Sequence, residues 1–128
     1  MRDMLHQGLV SIVDDDDSVR GATTKLLRLC GYAVQSFASA EDFLGSTLLD
    51  ETRCLISDVR MRGMSGLDLQ ARLIAQGRHI PMIFITAFAE DRNRERALAA
   101  GAICVLSKPF DAEVLTSFIE QVMRSSGG

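Results

Sequence analysis

The sequence predicts an α/β fold, a doubly wound five-stranded parallel sheet with five helices. Five short apolar segments alternate along the chain with segments whose apolar residues recur at helical spacing. Most of the apolar segments are continuous, which is typical of strands buried on both faces. Strict alternation also requires a crossover between successive strands, so the strands are expected to be parallel. The 128 residues are enough for one such domain.

The first half of the chain supplies three of the predicted strands and two of the helices. The second strand alternates apolar and polar residues, which indicates a sheet edge. In order, the predicted elements are the strand Leu9–Val13, a helix that stops at Gly31, the strand 33–37, a helix opened by Ser39 whose inner face reaches Thr47 and Leu48, and the strand 54–57 ending at Asp58.

The second half begins with a loop, residues 60–66, that is rich in residues that break helices and strands. The elements predicted after it are a helix from Leu67 that stops at Gly77, the strand 81–85, a helix over 90–100, the strand 103–106, and a last helix capped by Asp111. Residues 1–8 are expected to form an N-terminal tail and residues 125–128 a tail or the start of a linker. The domain is therefore expected to span residues 9–124.

Composition limits the classes of function. With 14 Lys and Arg against 17 Asp and Glu, a net charge of -3 argues against a dominant nucleic-acid-binding face. No apolar run approaches the roughly 18 residues that a membrane-spanning helix needs, and the first residues do not form a secretory signal. The three cysteines are odd in number and widely spaced, which favours buried thiols in a reducing compartment. We expect a compact, cytoplasmic domain with no membrane partner.

Polar residues follow four of the predicted strands at their carboxyl ends, where open α/β sheets bind ligands. The first strand runs into Asp14–Asp17, the third ends at Asp58, the fourth at Thr86 and the fifth at Ser107 and Lys108. Adjacent carboxylates repel one another unless a cation is bound, and their hard oxygens suit Mg²⁺. Each residue also has an ordinary structural explanation when it is considered alone.

Those ordinary explanations differ from residue to residue. Asp16 and Asp17 are expected to cap a helix N-terminus rather than to serve a site. Asp58 alone could start a turn, and Lys108 alone could be a surface lysine. Base rates favour a trans Lys108–Pro109 peptide bond.

The order of the whole set, Asp-Asp, Asp, Thr and Lys-Pro at successive strand ends, resembles the receiver domain of two-component response regulators, the CheY-like fold. The resemblance covers residues 10–123 and implies the strand order 2-1-3-4-5. It implies that Asp58 is the phosphoacceptor and that Asp15 binds Mg²⁺ directly, with Asp14 acting largely through water. It further implies that the backbone carbonyl of Arg60 is a metal ligand.

The same resemblance assigns the remaining site residues. Thr86 matches the switch hydroxyl, Lys108 matches the lysine that contacts the phosphoryl group, and Val105 lies at the position of the family's switch aromatic. Gly66 and the Lys108-Pro109-Phe110 segment also match the family.

The function implied is Mg²⁺-dependent phosphoryl transfer from a phosphohistidine to Asp58, followed by a conformational switch that signals downstream. Such a domain catalyses only its own phosphorylation and dephosphorylation. Phosphoryl transfer depends mostly on positioning and charge neutralisation, and a carboxylate nucleophile beside a cation and a lysine provides both. The donor would be a sensor histidine kinase or a phosphotransfer protein.

The resemblance also implies a possible homodimer through the face formed by the fourth helix, fifth strand and fifth helix. Charged residues on that helix could contribute to it or simply form a solvated face: Arg92, Arg94, Glu95 and Arg96. A downstream target, or DNA through a domain outside these residues, would receive the signal.

Three positions depart from the family pattern. Arg62 stands where the family usually has proline, which could loosen the loop or provide a contact to a partner. Val105 replaces the aromatic, so the sequence does not show how a change at Thr86 would reach an output face. Phe88, two residues after Thr86, could shield a phosphoryl group from water.

Other classes remain open from the sequence. A small phosphatase of the haloacid-dehalogenase type would use Asp14 as nucleophile and Asp16 as acid/base, but its later acidic motif is missing. A receiver-shaped interaction module that is never phosphorylated is a third interpretation. A flavodoxin-like nucleotide site is the weakest, because no glycine-rich loop follows the first strand.

Overall fold

The computed structural model describes residues 8–87 and 90–127. A short 3-10 helix, Thr47–Glu51, lies between the second helix and the third strand. In chain order the other elements are β1 (Leu9–Val13), α1 (Asp17–Leu29), β2 (Ala33–Phe37), α2 (Ala40–Leu44), β3 (Thr52–Asp58), α3 (Gly66–Ala75), β4 (Met82–Thr86), α4 (Asp91–Ala99), β5 (Cys104–Ser107) and α5 (Ala112–Gly127).

The five strands form one parallel sheet in the order β2-β1-β3-β4-β5. This confirms the predicted fold class and strand order, including β2 at an edge. The carboxyl ends of the strands are level with one another, because Val13 pairs with Ser57 and Asp58 pairs with Ile85. Residues that follow the strands therefore meet at one edge of the sheet.

Two buried apolar clusters lie on the two faces of the sheet. One packs α2, α3 and α4 around Phe43, Leu69 and Phe84. The other packs α1 and α5 through Leu27, Leu115 and Ile119 against the opposite sheet face. Strand side chains alternate between the clusters, as a sheet covered on both sides requires.

Three helices begin at side-chain caps that their sequences supply. Asp16, Ser39 and Ser65 each accept a hydrogen bond from the backbone amide three residues on, at 3.0, 3.0 and 3.1 Å. Asp17 is the first residue of α1 and pairs with Arg20 at 2.6 Å. The expectation that Asp16 and Asp17 serve the helix N-terminus is confirmed.

The second helix is shorter than the sequence predicts. It ends at Leu44, and Thr47 and Leu48 belong to the 3-10 helix instead of the inner face of α2. The hydroxyl of Ser46 accepts the amide of Leu48 at 3.0 Å, which starts the new helix after Gly45. β3 in turn begins two residues earlier than predicted, where the buried hydroxyls of Ser11 and Thr52 lie 2.7 Å apart.

The last helix continues to Gly127, so its backbone includes three of the four residues with linker composition. Residues 1–7 of the expected N-terminal tail lie outside the described residues. Within the described ranges, no helix combines the length and apolar character that crossing a bilayer requires.

Candidate functional site

Three carboxylates meet at the carboxyl edge of the sheet. Asp14 and Asp15 follow β1, and Asp58 ends β3; their oxygens lie within 4.8 Å of one another. Asp14 and Asp58 are buried, with 4% and 9% of their surface exposed. A set of closely placed, hard carboxylate oxygens fits a divalent cation such as Mg²⁺.

Lys108 brings a positive charge to this cluster from the loop after β5. Its Nζ donates to Oδ2 of Asp58 at 2.8 Å and to Oδ2 of Asp14 at 3.3 Å. All three side chains are mostly buried, with 18%, 11% and 6% exposure for Lys108, Asp58 and Asp14. Lys108 thus partly neutralises two carboxylates that would otherwise repel each other.

The pKa directions at the site follow from burial and pairing. Burial raises the pKa of Asp14 above its usual range, although the amide of Asp16 and the charge of Lys108 oppose the rise. Burial alone would lower the pKa of Lys108, but the hydrogen bond and charge of Asp58, together with Asp14, outweigh it and raise that pKa. The lysine is therefore held in its charged form.

The backbone of Asp58 is fixed by close packing against the start of α3. A Cβ on Gly66 would lie 2.0 Å from the carbonyl oxygen of Asp58, so only glycine allows this approach. The amide of Gly66 donates to the carbonyl of Val59 at 2.9 Å, and the hydroxyl of Ser57 donates to the Asp58 carbonyl at 2.9 Å. The candidate phosphoacceptor thus sits on a tightly held peptide.

Thr86 ends β4 at the edge that carries the cluster, and Val105 lies on β5 opposite Phe84. Both are buried, and the carbonyl of Thr86 accepts the amide of Lys108 at 2.8 Å. Val105 packs in the same apolar cluster as α3 and α4, and its carbonyl accepts a guanidinium hydrogen bond from Arg94 of α4 at 2.9 Å. The backbone of β5 is therefore tied directly to α4.

The loop after β3 makes contacts that the sequence did not indicate. The backbone amide of Arg60 donates to Oδ1 of Asp58 at 3.1 Å, and its guanidinium pairs with Glu90 across the site. Arg62 donates its backbone amide to Oδ2 of Asp15 at 2.9 Å, and its Nε lies 3.4 Å from the same oxygen. The arginine at the family's proline position therefore contacts a site carboxylate.

Glu41 is the residue near the site that sequence reasoning missed. An acidic residue in the first turn of α2 is already explained by the helix dipole, yet Oε2 of Glu41 accepts the amide of Met64 at 3.1 Å. No local signal identifies this contact, because it joins residues 23 apart in the chain.

The Lys108–Pro109 bond is cis, so the expected trans bond is wrong. Proline leaves only a weak intrinsic preference for trans, and the folded surroundings decide the isomer. Phe88, expected to shield the site, lies outside the described residues.

Comparisons with known proteins agree on one family. A family model described as the response regulator receiver domain matches residues 10–120. Nodulation protein W of Bradyrhizobium diazoefficiens is 43% identical over 119 residues, which cover 92% of this chain and 52% of that protein. The chain thus spans about half the length of that curated relative.

Solved structures give the same result. A response regulator receiver protein from Pseudoalteromonas atlantica superimposes with a TM-score of 0.86 at 28% identity, covering 92% of this chain and 98% of that one. Full-length FixJ from B. japonicum superimposes with a TM-score of 0.82 at 33% identity, covering 93% of this chain and 59% of that one.

Proposed function

The chain belongs to the response regulator receiver domain family, and we propose that it accepts a phosphoryl group on Asp58 from a phosphohistidine of a sensor histidine kinase or phosphotransfer protein. One observation carries the proposal: the lysine Nζ that joins Asp58 to Asp14 within a three-carboxylate cluster. A buried carboxylate beside a fixed cation is suited to receive a dianionic group.

Asp58 is the proposed nucleophile. One of its carboxylate oxygens forms a bond to phosphorus while the bond from phosphorus to the donor imidazole nitrogen breaks, and the imidazole retains the electron pair. The product is an aspartyl phosphate. The amide of Arg60 and the packing of Gly66 orient the carboxylate before the reaction.

Lys108 supplies charge at the place where negative charge accumulates. Its Nζ is already within hydrogen-bond distance of the attacking carboxylate, so it needs little movement to contact a phosphoryl oxygen. In the proposed site, Asp15 would bind Mg²⁺ directly and Asp14 would act largely through water, and Asp58 and the backbone carbonyl of Arg60 would be the other ligands. Bound Mg²⁺ would supply positive charge that offsets the phosphoryl oxygens and the carboxylates.

Thr86 and Val105 form the proposed switch. The hydroxyl of Thr86 would donate to a phosphoryl oxygen and draw the end of β4 toward Asp58. Because Thr86 pairs with Ser107, and Val105 is bonded to Arg94, such a movement would reach β5 and α4. The resemblance to the family implies that a homodimer or a downstream target would bind at the α4–β5–α5 face, and this movement would reach two of its three elements.

The proposed domain layout keeps residues 9–124 as the receiver. The curated relatives are longer than this chain, so output through DNA would require a segment outside these residues. We expect no enzymatic activity other than its own phosphorylation and dephosphorylation.

Incubation with acetyl phosphate and Mg²⁺, followed by intact-mass measurement, tests the proposal. We expect one phosphoryl adduct in the wild type and none in Asp58→Asn. An adduct that survives Asp58→Asn but is lost in Asp14→Asn would instead support the phosphatase interpretation. No adduct in the wild type would leave the interaction-module interpretation. The structure gives the phosphatase little support, because the Asp16 carboxylate caps α1.

A further inference from the structure

The β3–α3 loop, residues 59–65, is held by carboxylates from three different parts of the fold. Amides at alternating positions of the loop point to these carboxylates. The three hydrogen bonds run from Arg60 to Asp58 at 3.1 Å, from Arg62 to Asp15 at 2.9 Å, and from Met64 to Glu41 at 3.1 Å. Hydrogen bonds to ionised acceptors are stronger than those between neutral groups.

The third carboxylate differs from the other two. Asp15 and Asp58 belong to the cluster that would bind a cation, whereas Glu41 comes from the first turn of α2 and lies outside it. A cation drawn to Asp15 and Asp58 competes with the loop amides for the same oxygens. The bond from Met64 to Glu41 faces no such competition.

Gly63 allows Glu41 to approach the loop this closely. Its φ is +77°, and a Cβ there would lie 2.9 Å from Oε2 of Glu41. The carboxylate therefore packs directly against the loop backbone, beside the amide that it accepts.

The ion pairs made by the loop's two arginine side chains are weaker restraints. The guanidinium of Arg60 pairs with Glu90, and both side chains are 56% exposed. The guanidinium of Arg62 lies 3.4 Å from Asp15 and its side chain is 88% exposed, which makes this ion pair a minor restraint. The amide of Gly66 holds only the end of the loop, by donating to Val59. Met61 and Met64 also pack against the apolar cluster of α2, α3 and α4. Among the loop's three hydrogen bonds from amides to carboxylates, the one to Glu41 is the bond for which a cation at Asp15 and Asp58 does not compete.

We propose that Glu41 is a positioning residue for the phosphorylation site. It keeps the β3–α3 loop, and with it the Arg60 carbonyl, in place when Asp15 and Asp58 turn toward a cation. This inference rests on the proposed function, because it assumes that the loop borders a Mg²⁺ site.

Three variants separate the hydrogen bond from the charge. Glu41→Ala removes both. Glu41→Gln removes the charge but keeps an oxygen that accepts the Met64 amide. Asp42→Ala removes an exposed carboxylate from the neighbouring position of the same helical turn and serves as the matched control.

Two measurements are made on the full chain: amide hydrogen exchange at Met64 without metal, and Mg²⁺ affinity by calorimetry. In Glu41→Ala we expect exchange at Met64 to rise about tenfold and Mg²⁺ affinity to fall several-fold, roughly the effect of losing one charge-assisted hydrogen bond. Glu41→Gln, which keeps a neutral acceptor, should recover about half of each effect, and Asp42→Ala should leave both values unchanged.

Each contrary result has a distinct meaning. Wild-type Mg²⁺ affinity or unchanged Met64 exchange in Glu41→Ala would overturn the inference alone. The inference would also be overturned if Glu41→Gln and Asp42→Ala both lost as much Mg²⁺ affinity as Glu41→Ala does. The effect would then come from the lost negative charge rather than from the position of the loop. Absence of Mg²⁺ binding by the wild type would overturn the proposed function, and the inference with it.

Discussion

The Nζ of Lys108 lies 2.8 Å from Oδ2 of Asp58, although the two residues are 50 positions apart in the chain. The contact joins the end of β3 to the loop after β5 across the intervening strand β4. It places the amine of Lys108 against two buried carboxylates, so we expect the stability of this edge and its proposed chemistry to depend on it.

Replacing Lys108 with methionine should destabilise the fold near neutral pH. Asp14 and Asp58 would then be buried without their cation, at a cost of about 2 kcal/mol in the free energy of unfolding. Burial raises the pKa of Asp14, so the loss should shrink as the pH falls and that carboxyl becomes protonated; added Mg²⁺ should offset part of the loss at pH 7. Urea unfolding at pH 7 and pH 4 measures this, with exposed Lys25→Met as the control. Equal losses at both pH values would contradict the prediction.

Gly66→Ala and Gly21→Ala should act in opposite directions. At Gly66 the new Cβ would meet the Asp58 carbonyl at 2.0 Å, so we expect a loss of about 1–3 kcal/mol. At Gly21, inside α1, nothing lies within 4 Å and alanine should gain about 0.5–1 kcal/mol through helix propensity. Thermal and urea unfolding of the two variants test the contrast, and a neutral Gly66→Ala would be inconsistent with the packing described.

Alkaline pH should destabilise the protein through the buried thiol of Cys54 and the half-buried thiol of Cys104. Burial raises the pKa of Cys54 to about 12 and that of Cys104 to about 11, from 9.0. A raised folded-state pKa means that the stabilising contribution is complete below pH 9 and is lost as the pH rises toward those values. For Cys54 the slope is about 1.4 kcal/mol per pH unit between pH 9 and 12.

Unfolding free energies of the wild type and Cys54→Ala, compared at pH 8 and pH 10.5, measure that slope. The variant should lose less stability over this interval, whatever its absolute stability. The sequence predicts that Cys30 is buried too, but it lies exposed after the last turn of α1, so that prediction is wrong for Cys30. Cys30→Ala therefore controls for removal of a thiol. Identical pH slopes for wild type and Cys54→Ala would contradict the prediction.

Thr86→Ala should separate phosphorylation from switching. The adduct with acetyl phosphate and Mg²⁺ should still form, because Asp58 and Lys108 are intact. Hydrogen exchange in α4 should then change on phosphorylation in the wild type and in Thr86→Ser, which keeps the hydroxyl, but little in Thr86→Ala. A wild-type response in Thr86→Ala would remove this residue from the proposed switch.

The fold was predictable because its main determinants are local and repetitive. Alternation of apolar runs with helical spacing requires parallel strands, and parallel strands bring their carboxyl ends to one edge. The sequence alone could therefore predict that Asp14, Asp58 and Lys108 lie close together. The break in α2 was missed because Phe43, Leu44, Thr47 and Leu48 fit helical spacing, whereas the Ser46 cap starts a different helix.

The contacts around the β3–α3 loop were not predictable in the same way. Arg62 and Asp15 are 47 residues apart, and Glu41 and Met64 are 23 apart, so no periodicity relates them. An acidic residue in the first turn of a helix is already explained by the helix dipole. The hydrogen bond from the Met64 amide to Glu41 can be identified only from the three-dimensional position of the loop.

The absence of a side chain at Gly66 has a mechanical consequence. The first turn of α3 rests on the peptide of Asp58 with no atom between them, and α3 is a rigid rod of about 15 Å. If a shift of the Asp58 peptide tilted α3, the far end of the helix would move further than the end that contacts the peptide. Phosphorylation of one carboxylate oxygen of Asp58 would thereby displace the surface at the end of α3, beyond Ala75.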